Sequence, residues 1–132
     1  MRKPTAVSTP NAPKAIGPYS QAVQAGDLLF VSGQLPADPE TGAFVPGSVR
    51  DQTERVLKNI GAILEAAGMG FENVVRTTVF LTDMRTFSEM NEVYSRWFGQ
   101  GGAIYPARAT LEVSALPKGA MVEIDAVAAK LA

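Results

Sequence analysis

In the segment Pro106 to Val113, Arg108, Thr110 and Glu112 alternate with Ala109, Leu111 and Val113, and further on Glu123 and Asp125 alternate with Val122, Ile124 and Ala126. With a period of two, each polar set falls on one face of an extended strand whose other face is apolar. Charge on strands this apolar is costly without a partner. The residue types offer two reasons for it. Arg108 makes a structural ion pair with Glu123 or Glu112, or its planar five-donor guanidinium clamps a carboxylate ligand. Spacing alone leaves both open.

What surrounds these residues narrows the chemistry. The 132 residues include no cysteine and no histidine. That removes disulfides, thiolate nucleophiles, zinc-thiolate sites, the commonest general base and the commonest metal ligand. Catalysis must then use carboxylates, hydroxyls, lysine, arginine electrostatics, backbone donors or bound water. Nothing in the sequence calls for a metal or a cofactor. Twelve basic against thirteen acidic residues, with a pI near 5.4, make no general field for phosphate backbones, so nucleic acid is not expected as the main partner.

A chain of this length suits a single domain over residues 1–132. The hydrophobic fraction of 46% is that of a globular protein, and no run approaches a membrane span. The first thirteen residues hold Pro4, Pro10 and Pro13 without an apolar block. They read as an extended arm rather than a secretory signal, and the expected location is cytoplasmic.

Local pattern supplies the elements that must position the charges. Tyr19 to Gln24 and Leu28 to Ser32, around Gly26-Asp27, read as a hairpin. Residues 33–47 read mostly as loop, with a short edge strand near Ala43 to Val45. Ser48 followed by Asp51 resembles a helix cap, and Val56, Ile60, Ile63, Leu64 and Ala67 then recur at helical spacing up to Gly68. Val74 to Leu81 is rich in β-branched residues and predicts a strand. A second helix is predicted from Thr82-Asp83 to Gly99, with Phe87, Met90, Tyr94 and Trp97 on one stripe. The two charged strands then form a final hairpin through Leu116-Pro117-Lys118-Gly119, with a register that could set Arg108 beside the acidic face.

The order β-β-(β)-α-β-α-β-β describes an α+β fold: a mixed five- to six-stranded sheet with two helices packed on one face. Two helices cover only that face. The strands read as nearly continuous apolar runs, so the second face needs cover too. A second copy of the chain is the simplest cover, and a homo-oligomer is expected.

Five blocks resemble one family in a single register from about residue 7 to 130. They are Ile16-Gly17-Pro18-Tyr19-Ser20-Gln21-Ala22, Val31-Ser32-Gly33-Gln34-Leu35-Pro36, Val75-Arg76-Thr77-Thr78-Val79-Phe80-Leu81, Tyr105-Pro106-Ala107-Arg108, and Leu116-Pro117-Lys118-Gly119 with Val122-Glu123-Ile124-Asp125-Ala126. Together they resemble the RidA (YjgF) family. The resemblance implies a chorismate-mutase-like fold and a homotrimer with ligand clefts between subunits. It also implies cofactor-free hydrolysis of reactive 2-imino acids and enamines, such as 2-aminoacrylate and 2-iminobutyrate, to 2-oxo acids and ammonia.

Carried over position by position, the resemblance makes Arg108 the carboxylate-binding arginine and Glu123 the acid that orients water. Tyr19, Ser32, Gly33 and Asn91 match pocket positions, and Thr110 stands where many bacterial members have cysteine. Without the resemblance, Tyr19 and Ser32-Gly33 read as turn chemistry and Asn91 as a solvated helix position. Lys118 reads as turn, Trp97 and Phe98 as core or interface, and Glu112 and Asp125 as structural. The alternatives are a pathway-specific enamine deaminase of aminomuconate type, or a non-catalytic module that binds a metabolite or acts in translation.

Overall fold

Helix α1 (Val49–Ala66) begins where local chemistry says it should. Ser48 is extended, and its backbone N–H donates to Asp51 Oδ2 at 3.0 Å. Val56, Leu57, Ile60, Ile63 and Leu64 are fully buried, and Gly68 follows the helix at a φ of +73° that favours glycine. Helix α2 (Phe87–Phe98) starts later than predicted. Residues Met84–Thr86 form a separate 3-10 turn, because Asp83 accepts the Arg85 N–H at 2.9 Å and opens a tighter turn first. A computed structural model describes residues 3–131 of the chain, so the first two residues of the expected arm and the last residue of the expected domain lie outside the described residues.

Among the described residues, six strands form one sheet: β1 (Thr5–Val7), β2 (Ala22–Ala25), β3 (Leu28–Gln34), β4 (Val74–Leu81), β5 (Ala107–Glu112) and β6 (Val122–Ala129). Their order is β1-β2-β3-β6-β4-β5, with β4 and β5 parallel and every other pair antiparallel. The first hairpin is as expected, except that β2 starts at Ala22. Tyr19 and Ser20 precede it in a bend where the Tyr19 N–H bonds to the Gly17 carbonyl. The predicted strand at 43–45 is reduced to one bridge between Ala37 and Phe44.

The expected β5–β6 hairpin does not form. Strand β4 lies between them, parallel to β5 and antiparallel to β6. Turn residues in the connection suggested a reversal onto the neighbouring strand, but the connection is long enough to pass around the end of β4. Its two ends hold that path: the Val113 N–H bonds to the Leu81 carbonyl, and the Thr82 N–H to the Met121 carbonyl.

Both helices pack on one face of the sheet. Their apolar stripes join Leu29, Val31, Val79, Leu81, Ile124 and Ala126 in a single core. The alternate residues Phe30, Phe80, Glu123, Asp125 and Val127 point away from that core, and Phe30 and Leu111 remain 46% and 44% exposed. No helix among the described residues is long and apolar enough to cross a membrane.

The arm is fastened to the sheet at two places. Strand β1 pairs with β2 as an edge strand, the position that a proline-rich segment can occupy. Beyond it, buried Gln21 accepts the Thr9 N–H at 2.7 Å and donates to the carbonyls of Pro13 at 2.8 Å, Thr9 at 3.1 Å and Ala12 at 3.3 Å. Gln21→Ala leaves those groups without their partner, and we expect a loss of about 2 kcal/mol, measured by urea unfolding.

Candidate active site

Arg108 lies in β5 directly beside Thr77 of β4, and so on the face covered by α2. Its guanidinium carbon is 4.7 Å from the centre of the Tyr94 ring and 5.5 Å from that of Phe87. Arg108 Nη1 donates to Asn91 Oδ1 at 2.7 Å, the one hydrogen bond of the guanidinium among the described residues. Phe87, Asn91 and Tyr94 are spaced four and three apart, so α2 presents them as one stripe. The Tyr94 hydroxyl is fixed in turn against Thr77 Oγ1 at 2.6 Å. Burial pushes its pKa up, so it stays neutral beneath the cation.

Among the described residues no carboxylate lies within ion-pair distance of Arg108. Of the two structural partners that spacing allowed, Glu112 instead accepts the Met84 N–H at 2.8 Å, and Glu123 lies elsewhere. The guanidinium therefore keeps free donors toward a cleft lined by Asn91, Tyr94, Ser95, Tyr105 and Pro106. Thr110 shares the face of Arg108, and its buried Oγ1 has no hydrogen-bond partner among the described residues.

Glu123 belongs to a second group. It lies in β6 beside Phe80 and is packed against Gly33 of β3. A Cβ built on Gly33 would overlap Glu123 Oε2 and sit 3.0 Å from its carboxyl carbon, so glycine permits the approach. Burial first, and then the charge of neighbouring Asp125, push the Glu123 carboxyl above its ordinary pKa. Asp125 itself accepts the Thr78 N–H at 3.1 Å. Ser32 Oγ donates to the Ser20 carbonyl at 2.6 Å, which ties β3 to the bend carrying Tyr19. Tyr19, 52% exposed, and Gly33 line one cleft.

The two groups occupy opposite faces of the sheet. Arg108 pairs with Thr77 and Glu123 with Phe80, and three residues along β4 reverses the face. The register that might have set them side by side within one chain is therefore absent. The structure brings Arg108 together with Asn91, with Thr110 on the same face; it sets Gly33 against Glu123, puts Tyr19 in one cleft with Gly33, and ties Ser32 to the bend that carries Tyr19. The residues seating Arg108, namely Phe87, Tyr94 and Thr77, were not among the predicted site residues. The signal for Phe87 and Tyr94 was the helical stripe that read as core, and Thr77 lay within a strand read from its β-branched residues. Asn91, four residues after Phe87 and three before Tyr94, read as a solvated helix position, yet that spacing puts it on their face. Among the described residues, no group of three or more carboxylates is placed to hold a metal ion.

A family model described as Endoribonuclease L-PSP matches residues 9–130. The chain belongs to this family, also known as RidA. One RidA-type relative, a RutC family protein of Pyrococcus horikoshii, is 54% identical over 94% of this chain and 96% of that protein. The mouse protein named 2-iminobutanoate/2-iminopropanoate deaminase is 52% identical over 92% of this chain and 88% of its own length. Among solved structures, Escherichia coli TdcF with bound serine superposes with a TM-score of 0.92 at 42% identity, covering 96% of this chain and 99% of that one. The RidA fold is thus the α+β arrangement described above.

Proposed function

We propose that this RidA protein is a cytoplasmic homotrimer that hydrolyses 2-imino acids and their enamine tautomers to 2-oxo acids and ammonia. The observation that carries the reading is Arg108, an arginine seated on two aromatic rings with no carboxylate of its own and donors free toward a cleft. Such a group is built to receive a carboxylate from outside. The deaminase name of the mouse relative and the amino acid bound to TdcF support a substrate of that kind. The family description as an endoribonuclease fits less well, since the chain has a net charge of −1 and no histidine.

Opposite faces of one sheet cannot build one cleft, and the apolar face left open by the helices calls for a second copy. The site is then formed by Arg108, Asn91 and Thr110 of one subunit with Tyr19, Ser32, Gly33 and Glu123 of the next. A 14 kDa species in sedimentation at micromolar concentration would contradict this.

The reaction needs only these groups. Arg108 holds the carboxylate and so fixes the imine carbon. Glu123, as the carboxylate, accepts a proton from water as its oxygen adds to the C=N carbon, giving a carbinolamine. The imine enters protonated, so return of that proton makes the carbinolamine nitrogen an ammonium; Glu123 then takes the hydroxyl proton as the C–N bond breaks, the C=O bond forms and ammonia leaves, to be protonated in turn to ammonium. Tyr19 lines the cleft on the Gly33 side.

The experiment is to release 2-aminoacrylate with a pyridoxal-phosphate-dependent dehydratase in the presence of semicarbazide. Trapped semicarbazone falls as the protein is added, and an unchanged yield contradicts the reading. Gly33→Ala displaces the Glu123 carboxylate, and we expect at least a tenfold loss of kcat in the same assay, since misplacement of about 1 Å suffices for more.

A further inference from the structure

Tyr94 carries more than its place in the core requires. Its ring is buried on α2 and packs against Phe98 with centroids 4.4 Å apart, a position that phenylalanine would fill with no hydroxyl to satisfy. The hydroxyl meets Thr77 Oγ1 at 2.6 Å, and Thr77 is itself fully buried. Away from water each of these groups depends on the other, since a buried polar atom without a partner is costly. Thr77 is also the residue directly beside Arg108 in the β4–β5 register. The hydroxyl pair therefore fastens the ring to the strand next to the arginine that lies over it.

What the ring does for Arg108 follows from the alternatives. An arginine free to change rotamer loses that freedom when it binds a carboxylate, and its affinity falls accordingly. A carboxylate beneath the guanidinium would hold it still, but would occupy its donors and cancel the charge that a ligand needs. Aromatic faces do neither. The guanidinium carbon lies 4.7 Å from the centre of the Tyr94 ring and 5.5 Å from that of Phe87, so the cation is attracted while its charge and its donors are kept. Asn91 Oδ1 takes one donor at 2.7 Å and sets the direction of the rest.

We infer, on the reading that Arg108 binds the substrate carboxylate, that Tyr94 is a positioning residue for that arginine and that the Thr77 hydroxyl is the clamp holding its ring. Tyr94 touches no reacting atom in this scheme. It orders the guanidinium during folding, so that binding does not have to.

The test measures the dissociation constant of pyruvate, the 2-oxo acid formed from 2-aminoacrylate, by NMR titration, together with kcat/KM in the trapping assay. Tyr94→Leu is expected to weaken pyruvate binding and to lower kcat/KM about tenfold, because the arginine regains rotamer freedom that it must give up again to bind. In an Arg108→Ala background the same change should leave the residual kcat/KM where it was, since Tyr94 acts only through the arginine. A tenfold loss in that background too, or unchanged binding in Tyr94→Leu alone, overturns the positioning role.

The clamp is tested without emptying the core. Thr77→Val and Tyr94→Phe each leave one hydroxyl unpaired and should lower the urea midpoint, whereas the double variant removes both and should recover most of it. Pyruvate binding in the double variant is nevertheless expected to stay about threefold weaker. Recovery of wild-type binding along with stability would make the pair purely structural and overturn the clamp. A wild-type protein that binds pyruvate through Arg108 but does not suppress semicarbazone removes the deaminase reading and leaves the positioning role standing. One that does not bind pyruvate at all removes the positioning role.

Discussion

Arg108→Ala is expected to lower kcat/KM for the 2-aminoacrylate-derived substrate by at least about a hundredfold, the loss that follows when a two-pronged charge-assisted contact is removed. The effect should fall mainly on KM, because the carboxylate is bound in the ground state as well as in the transition state. Arg108→Lys is not a rescue. A single ammonium cannot bridge two carboxylate oxygens while also donating to Asn91 from over the Tyr94 ring. Stability should change by only about 1 kcal/mol, the scale of one partly exposed cation–π contact, because no ion pair is lost. Wild-type activity in Arg108→Ala would remove the arginine from the mechanism.

Glu123→Gln is expected to lower kcat by roughly a hundredfold to ten-thousandfold, the contribution typical of a positioned general base, with KM little changed. The pH profile gives a sharper readout. Glu123 works as the carboxylate, and burial together with Asp125 raises its pKa. Activity should therefore fall as pH drops through a value above the ordinary glutamate pKa of ~4.3. Asp125→Asn removes the neighbouring negative charge, so Glu123 ionises more readily and this acid limb moves to lower pH. In Glu123→Gln the limb should disappear from the residual rate. A limb that stays in place in both variants would assign the titration to another group.

What the residues disclosed in advance depended on the distance over which each feature is decided. The Ser48–Asp51 start of α1 and its end near Gly68 are contacts within a few residues, and they were legible. The alternation that puts Arg108 and Thr110 on one face of β5 is likewise intrinsic to a strand. Strand order is not. Both β5 and β6 pair with β4, and β4 can accept a neighbour on each edge, so the turn chemistry at Pro117-Lys118-Gly119 was compatible with a hairpin that does not occur. The halves of the candidate site fell apart for the same reason.

Two other features needed the tertiary structure to be seen. Tyr94 sits at a core-like position of α2, and only the parallel placement of β5 beside β4 reveals that its ring carries Arg108. Gly33 looked like a turn residue at a strand end. Its function as the space for the Glu123 carboxylate depends on β3 and β6 being neighbours. The family resemblance marked Gly33 and Asn91 as pocket positions; in the structure Gly33 abuts the Glu123 carboxylate and Asn91 accepts from Arg108.

The most direct test of a site shared between subunits is complementation. Arg108→Ala and Glu123→Gln subunits are unfolded, mixed in equal amounts and refolded together, and the trapping assay is run on the mixture. If Arg108 of one subunit works with Glu123 of the next, random assembly joins an intact arginine to an intact glutamate at about one quarter of the clefts. With substrate well below KM, the mixture should then regain about a quarter of wild-type activity, although each variant refolded alone keeps about a hundredth or less. A mixture that assembles into mixed trimers and stays as inactive as its components would contradict the account.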